Sequence, residues 1–243
     1  MLMSDSIVII PTYNEIENIE NIVRAVFSLS KSFDILIVDD NSPDGTSEKI
    51  VELIQAFPHR LFLEKRAKKA GLGTAYVHGF KWSLAHQYEY IFEMDADFSH
   101  NPLDLERLYA ACHVNQADLA IGSRYITGVN VVNWPLNRVL MSYFASVYVR
   151  FITRMKIMDT TAGFVCYKRK VLQNINLDKI KFIGYAFQIE MKYRAFAKNF
   201  KIIEVPIIFT DRAKGQSKMS GSIIKEAVFG VISLRIKKML GKL

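Results

Sequence analysis

Residues 33–46 read FDILIVDDNSPDGT: an apolar, largely β-branched run, two adjacent aspartates, then a cluster of turn formers. An apolar run without alternation belongs to a strand covered on both faces, as in a parallel sheet. Asn41-Ser42-Pro43-Asp44-Gly45 closes it, and Thr46 opens a helix expected to reach Phe57. The same order continues in both directions. Ile7 to Ile10 is a short strand closed by Pro11, and Asn14 is expected to open a helix with Glu17 as its capping-box partner. Ile16, Ile19, Val23, Val26 and Phe27 give that helix one apolar face. Strand Leu61 to Leu63, a turn at Gly71-Leu72-Gly73, a helix to about His86, strand Tyr90 to Met94, helix Asn101 to Cys112 and strand Leu119 to Gly122 follow. This alternation predicts an α/β fold, a Rossmann-like, mostly parallel sheet with flanking helices and right-handed crossovers.

Beyond Tyr125 the pattern changes. Arg138 to Arg154 reads as a longer helix rich in aromatics (Tyr143, Phe144, Tyr148, Phe151). Gly163 to Tyr167 and Lys201 to Phe209 read as strands around a helix at Ala186 to Lys198, and Ser222 to Met239 as a last amphipathic helix. No internal repeat, low-complexity tract or long linker precedes about residue 210.

The chain has 243 residues, enough for one large domain with a short appendage. Half of them are hydrophobic, which excludes wholesale disorder. The net charge of +8 asks for an anionic partner: nucleic acid, a phosphorylated small molecule or an acidic membrane surface. From Arg212 onward eight basic residues face one acid, Glu226, so the excess acts through the C-terminal end. Cys112 and Cys166 make neither a disulfide framework nor a zinc site, and a reducing cytosolic compartment is expected. No signal peptide is read at the N-terminus, and no run approaches the roughly 18 apolar residues that span a bilayer.

In open parallel sheets ligands bind beyond the carboxyl ends of the strands. Those ends carry Pro11-Thr12-Tyr13-Asn14-Glu15, Asp39-Asp40, Asp95-Ala96-Asp97 and Ser123-Arg124-Tyr125. A lone aspartate there is usually a cap; acids at two strand ends, one of them a D-x-D, point to a metal. A nucleoside diphosphate leaving group concentrates negative charge, and a hard divalent cation with oxygen ligands (Mg²⁺ or Mn²⁺) neutralises it. Alternation along an extended segment puts Asp95 and Asp97 on one side, with Ser99 a further metal or water contact. Gly71 and Gly73 lack the third glycine of a dinucleotide fingerprint, since Tyr76 stands in its place, and this counts against an NAD-linked oxidoreductase. They are read instead as letting the backbone pass close to a nucleotide, with Lys65, Arg66, Lys68 and Lys69 supplying charge.

With these residues assembled, the chain resembles the family-2, GT-A-fold glycosyltransferases, and among them the dolichol-phosphate mannose synthases. The resemblance runs from about Ile7 to the end. Its marks are residues 9–15 (IIPTYNE), 38–46 (VDDNSPDGT), 71–76 (GLGTAY), 94–100 (MDADFSH), 122–125 (GSRY), 159–164 (DTTAGF) and 211–218 (DRAKGQSK). It implies that Pro11, Tyr13, Glu15, Val38, Asp40, Gly71, Gly73 and Ala96 bind the nucleotide sugar. It implies further that Asp95, Asp97 and Ser99 face metal and diphosphate, and that Arg124, Arg138 and Ser142 hold an acceptor phosphate. Arg212 and Lys218 would close over the diphosphate, so that Asp95, Asp97, Arg124, Arg212 and Lys218 form the catalytic set. Asp159-Thr160-Thr161 departs from the family's usual Asp-x-Thr-Gly or Asp-x-Thr-Ser at the position after Thr161.

The implied reaction is an inverting transfer of mannose from GDP-mannose to a polyprenyl monophosphate. A phosphate monoester has its second pKa at about 6, so it is largely a dianion at neutral pH and needs clamps more than a general base. Arginine forks suit that role. A UDP-glucose donor, or a saccharide acceptor with a general base, stays open as an alternative. A non-enzymatic nucleotide- or nucleic-acid-binding module is the distant one; strand-end acids repel a polyanion, and no nucleic acid is expected. The expected division is a catalytic domain over 1–210 and, over 211–243, an acceptor loop with an amphipathic helix. Ile223, Ile224, Ala227, Val228, Val231, Ile232 and Leu234 give that helix a broad apolar face with basic residues beyond it. Such a helix lies on a membrane surface, here the cytoplasmic face, or docks on the protein's own core.

Overall fold

The structure, a computed structural model, describes residues 4–184, 186–211 and 221–241, with side chains in the last segment described from Val228 on. Among the described residues the strands are β1 (Ser6–Thr12), β2 (Asp34–Asp39), β3 (Leu61–Lys65), β4 (Tyr90–Glu93), β5 (Leu119–Ser123), β6 (Val131–Val132), β7 (Val165–Lys168), β8 (Ile202–Pro206) and β9 (Phe209–Thr210). The helices are α1 (Ile19–Phe27), α2 (Thr46–Ala56), α3 (Leu72–Ala85), α4 (Asp104–His113), α5 (Leu136–Thr153), α6 (Arg169–Asn174), α7 (Ala186–Ala197) and α8 (Gly221–Met239).

Strands order as β3-β2-β1-β4-β7-β5-β8, and β6 pairs with β9 apart from this sheet. Neighbours are parallel except β7, which runs antiparallel between β4 and β5. The sheet is therefore mostly parallel, as expected, with one reversed strand inserted between β4 and β5. Both faces are covered, and alternate residues feed opposite cores. Ile7, Ile9, Leu36 and Val38 pack under α3 and α7; Val8, Ile10, Ile35 and Ile37 pack under α1, α2 and α4.

The first helix starts later than its capping box suggested, at Ile19 rather than Asn14. Asn14 sits in the left-handed region (φ 60°), and three successive amides are claimed by the loop after β2. Asn14 N donates to Ser42 Oγ (3.0 Å), Glu15 N to Thr46 Oγ1 (3.0 Å) and Ile16 N to Asp44 Oδ2 (3.2 Å). Groups that a helix start would leave unpaired are satisfied across strands, so residues 13–18 stay a loop at the sheet's carboxyl edge. Asp39 anchors the same edge. It accepts from Thr12 Oγ1, Ser42 N, Ser42 Oγ and Ser47 Oγ at 2.6–2.9 Å. Burial would raise its pKa, but these hydrogen bonds outweigh burial and leave it below the usual carboxylate range.

The C-terminal helix has two faces. Val231 and Leu234 are buried against α5 and α7, and Tyr148 Oη donates to Val228 O at 2.9 Å. Gly230 backs onto Phe182, whose ring leaves no room for a Cβ there. Phe229, Ile232, Ile236, Met239 and Leu240 recur at helical spacing on the opposite side and stay exposed. Arg235 and Lys237 are sequence neighbours of Ile236 and so stand on either flank of that exposed stripe. Ile223, Ile224 and Ala227 lie outside the described side chains.

Helix α3 approaches β1 through Gly79, where an added Cβ would meet Ile9 Cγ2 at 2.7 Å. Gly79→Ala is expected to destabilise the fold by about 1–3 kcal/mol through overpacking, read as a lower urea midpoint. An unchanged midpoint would show that the helix shifts at no cost.

Candidate active site

The carboxyl ends of β1, β2, β4 and β5 lie along one edge of the sheet, and the chain leaves each in a polar loop. A cleft of about 370 Å³ opens there between the β4 and β5 ends and helices α5, α7 and α8. Asp95, Asp97, Ser99, Arg124, Arg138 and Ser142, six of the residues singled out from sequence, all line it.

The loop after β4 makes the acidic end. Phe98 takes a positive φ of 60°, which turns the chain tightly between Asp97 and Ser99. Asp97 Oδ1 accepts from Ser99 N at 3.1 Å, Tyr76 Oη donates to Asp95 Oδ1 at 3.4 Å, and the Asp95 amide donates to His100 Nδ1 at 3.1 Å. Ser99 Oγ is buried and has no hydrogen-bond partner among the described residues. Two carboxylates beside an orphaned hydroxyl form an all-oxygen donor set, which fits a hard cation. No cluster of three or more His, Cys, Asp or Glu forms among the described residues, so such an ion would complete its shell with phosphate oxygens and water. His100 is stacked on Phe164 at 4.8 Å, and burial pushes its pKa down to about 4.

Two arginines make the basic flank. Arg124 Nε and Nη2 donate to Asp159 Oδ2 and Oδ1, both at 2.7 Å, its backbone N donates to Oδ2 at 3.0 Å, and Nη2 also donates to Thr161 Oγ1 at 2.8 Å. Burial acts to raise the Asp159 pKa, and the Arg124 guanidinium reverses this and holds the carboxyl below its usual range. Arg124 Nη1 has no hydrogen-bond partner among the described residues. Arg138 lies over the Trp134 ring at 4.0 Å and pairs with Asp211 Oδ1 at 2.8 Å. The β6–β9 pair sets that contact, since Asp211 N donates to Val132 O just beyond it. Sequence reasoning missed Trp134 and Asp159 as partners of these arginines; the motif containing Asp159 was the one available signal.

Farther along α5 from Arg138 the cleft is apolar. Met141, Ala145, Tyr148 and Val149 of α5, Ile189 of α7 and Val228 of α8 form its wall.

The remaining residues read from sequence lie on the other side of the acidic loop or deeper. Asp40 pairs with Arg66, whose Nη1 donates to Thr74 Oγ1 at 2.8 Å, and Lys69 lies over the Tyr13 ring at 4.0 Å. Pro11 stands opposite Val38 in the β1–β2 register, and Glu15 O accepts from the amides of Asn18 and Ile19. Val38 is fully enclosed and Ala96 nearly so. The close approach that Gly71 and Gly73 permit here is to the chain itself. A Cβ on Gly71 would meet Ile183 O at 3.0 Å, and one on Gly73 would meet Phe182 O at 2.7 Å. Arg212 and Lys218 lie outside the described residues.

Beneath the acidic loop lie two buried ionisable side chains, Glu93 and Lys192, that no sequence pattern revealed, apart from one acid inside the apolar run Tyr90 to Met94. Lys192 Nζ donates to Ala162 O at 2.6 Å and to Gln188 Oε1 at 3.3 Å. Burial pulls its pKa down to about 8, and burial pushes that of Glu93 up to about 8 against the attraction of Lys192.

Residues 7–175 match the family described as glycosyl transferase family 2. The fold is shared with glucosyl-3-phosphoglycerate synthase from Mycobacterium tuberculosis, solved with Mn²⁺, UDP-glucose and phosphoglyceric acid. Its TM-score is 0.65 at 16% identity, with 96% of this chain and 79% of that one covered. An open α/β sheet of this kind with acids at its carboxyl edge is the GT-A architecture, and the chain belongs to glycosyltransferase family 2. It is 48% identical over 237 residues to polyprenol monophosphomannose synthase of Mycolicibacterium smegmatis, covering 98% of this chain and 89% of that one. It is 43% identical to undecaprenyl-phosphate mannosyltransferase of Micrococcus luteus, covering 92% and 90% of the two chains. Dolichol-phosphate mannosyltransferase of Pyrococcus furiosus is 37% identical over 90% of this chain and 60% of its own length.

The buried Glu93 gives a pH signature. Its pKa rises on folding from 4.5 to about 8, so between those values the unfolded chain releases a proton that the folded chain keeps. Its contribution to stability is complete below that window and lost as pH rises through it. Glu93→Gln should flatten this descending limb in denaturation midpoints taken across the window; a slope equal to that of the parent protein refutes the assignment.

Proposed function

We propose that the protein is an inverting mannosyltransferase that moves mannose from GDP-mannose to a polyprenyl monophosphate. The observation that carries the reading is the make-up of one cleft. Carboxylates and a hydroxyl suited to a cation lie at one end, two arginines beside them, and an apolar wall of α5 and α8 residues runs outward. A lipid phosphate is a dianion on an apolar chain, and this cleft offers complementary surfaces to both parts. The names of the mannosyltransferase relatives support mannose as the sugar and a polyprenyl phosphate as the acceptor.

In this reading an oxygen of the acceptor phosphate attacks the anomeric carbon of mannose. The bond from that carbon to the β-phosphate oxygen breaks, GDP leaves and the configuration inverts. No general base is required, because the attacking group already carries its negative charge. Arg138, with Nη1 of Arg124 and the Ser142 hydroxyl, holds the acceptor phosphate, which takes the place of the Asp211 carboxylate on Arg138. The bridge to Asp159 fixes the Arg124 fork before substrate arrives, so little side-chain freedom is lost on binding. Asp95, Asp97 and Ser99 would hold Mg²⁺ or Mn²⁺, whose charge neutralises the departing diphosphate. Pro11, Tyr13, Glu15 and Asp40 border the nucleoside, and Arg212 and Lys218, outside the described residues, are assigned as further positive charges for the diphosphate.

The lipid comes from a membrane, and the surface around the cleft mouth suits one. Leu136, Leu140, Phe144 and Phe151 of α5 are exposed, as are Phe229, Ile236 and Met239 of α8. Apolar side chains that enter the interface, flanked by Arg235 and Lys237, form an interfacial helix, and each basic residue adds roughly 1 kcal/mol on anionic lipid. Among the described residues no helix is long and apolar enough to cross a bilayer. We assign the protein to the cytoplasmic face, with residues 1–210 as catalytic domain and 211–243 as acceptor loop and interface helix.

Incubation with a panel of labelled nucleotide sugars, Mg²⁺ or Mn²⁺ and a short polyprenyl phosphate should carry only mannose, from GDP-mannose, into the lipid phase. Asp97→Ala should abolish transfer while the fold is kept. Glucose entering from UDP-glucose overturns the donor, and no lipid product from any sugar overturns the reaction. Phe229→Ser with Ile236→Ser alters only the outer face of α8. This pair should reduce co-sedimentation with vesicles containing anionic phospholipid, and unchanged binding refutes the membrane face.

A further inference from the structure

We propose that His100 is a phosphate-binding residue, donating from Nε2–H to a phosphate oxygen in the cleft and not ligating the metal. This rests on the reading that phosphate groups meet in this cleft. The histidine follows the D-x-D by three residues, and its position alone invites a metal-ligand role. The hydrogen bonding argues otherwise. The Asp95 backbone N lies 3.1 Å from His100 Nδ1, and a backbone amide can only donate. Nδ1 must therefore present its lone pair, which puts the single ring proton of the neutral imidazole on Nε2. With that proton in place Nε2 has no lone pair for a cation. It is a donor.

The ring is held by its packing, and a half-turn within that packing would forfeit the bond from Asp95 N. It stacks on Phe164 with 15° between the planes and meets Phe209 edge-on at 5.4 Å. The residue is 2% exposed yet borders the cleft with Asp97, Arg124 and Gly163. Its Cε1, the ring atom between the two nitrogens, would lie 3.7 Å from a Cβ on Gly163, so this edge faces a position without a side chain. No hydrogen bond from Nε2 forms among the described residues. A donor that borders the cleft without a protein partner is free to serve a ligand, and an anionic oxygen arriving between the acidic loop and Arg124 can accept from it. As a neutral donor it adds no charge to a corner that already holds a guanidinium.

Two substitutions separate the two ring nitrogens. In His100→Asn the amide oxygen stands near Nδ1 and can accept from Asp95 N, but nothing reaches the cleft. In His100→Gln the amide NH₂ stands near Nε2, and the Asp95 amide loses its partner. A hydrogen bond to a charged group corresponds to roughly 10- to 100-fold in binding. His100→Asn is expected to lose that factor either in kcat/KM for polyprenyl phosphate, which marks the acceptor phosphate as partner, or in affinity for Mn²⁺-GDP, which marks the donor diphosphate. His100→Gln should recover part of the same parameter. Parent-like values for His100→Asn in both measurements overturn the proposal, as does a His100→Gln variant no better than His100→Asn.

A second measurement needs no turnover and no variant kinetics. Imidazole ¹⁵N spectra of the unaltered protein, with His100 assigned by its absence in His100→Asn, should show the Nε2–H form. That resonance should move on addition of Mg²⁺-GDP or of a short polyprenyl phosphate. An Nδ1–H form, or no movement with either ligand, overturns the proposal. Failure of mannose transfer by the parent protein would count against the proposed reaction, whereas the spectra decide the role of His100 separately.

Discussion

Arg124 and Asp159 meet in a two-pronged ion pair whose side chains are 8% and 0% exposed. Removing charges from water is expensive, and a pair buried this deeply contributes less to stability than to direction, because any arrangement that separates its members leaves a charge uncompensated. The pair joins the end of β5 to the segment entering β7. On its other side Glu204 of β8 accepts from the amides of Met158 and Asp159 at 2.7 and 2.9 Å. Three strands that are distant in sequence are thus held at one corner. That corner is the one from which Arg124 looks into the cleft and on which Gly163 and Phe164 are placed beside His100.

The apolar runs at Ile7–Ile10, Phe33–Val38 and Tyr90–Met94, broken only by Asp34 and Glu93, announced their strands because burial on both faces leaves a largely apolar signature. The acids after Val38 and Met94 announced the carboxyl edge for the same local reason. The direction of β7 was not legible. Phe164-Val165-Cys166-Tyr167 is equally apolar whichever way it runs, and its register partners in β5 and β4 lie 44 to 78 positions earlier. The start of α1 was misread because the donors of residues 14–16 are satisfied by Ser42, Thr46 and Asp44, groups that a capping rule confined to four residues does not see.

The site was legible in part for a related reason. Asp95, Asp97 and Arg124 stand at strand ends, where a local rule locates ligand-binding groups, and Arg138 and Ser142 share one face of α5 with the wall of the same cleft. Glu93 and Lys192 carried no such mark: each is a charged residue in an element whose neighbours are apolar, and only the packing of α7 on β4 brings them together. The tail helix posed a choice between docking on the protein and facing outward. Its geometry removes the choice, since Val231 and Leu234 occupy one side and Phe229 and Ile236 the other.

Phe182 touches both ends of this arrangement. Its ring fills the notch that Gly230 leaves in α8, and its carbonyl lies against Gly73 at the start of α3. Glu190 holds the segment between by accepting from the amides of Lys181 and Phe182 at 2.9 and 3.2 Å. One aromatic residue therefore works as a strut between the outermost helix and the glycine turn beside Thr74 and Arg66. Both seats lack a side chain, so neither offers slack. A displacement of α8 toward the body of the protein is carried as a push on the glycine turn rather than absorbed, and the outermost helix and the turn that opens α3 share a single rigid part.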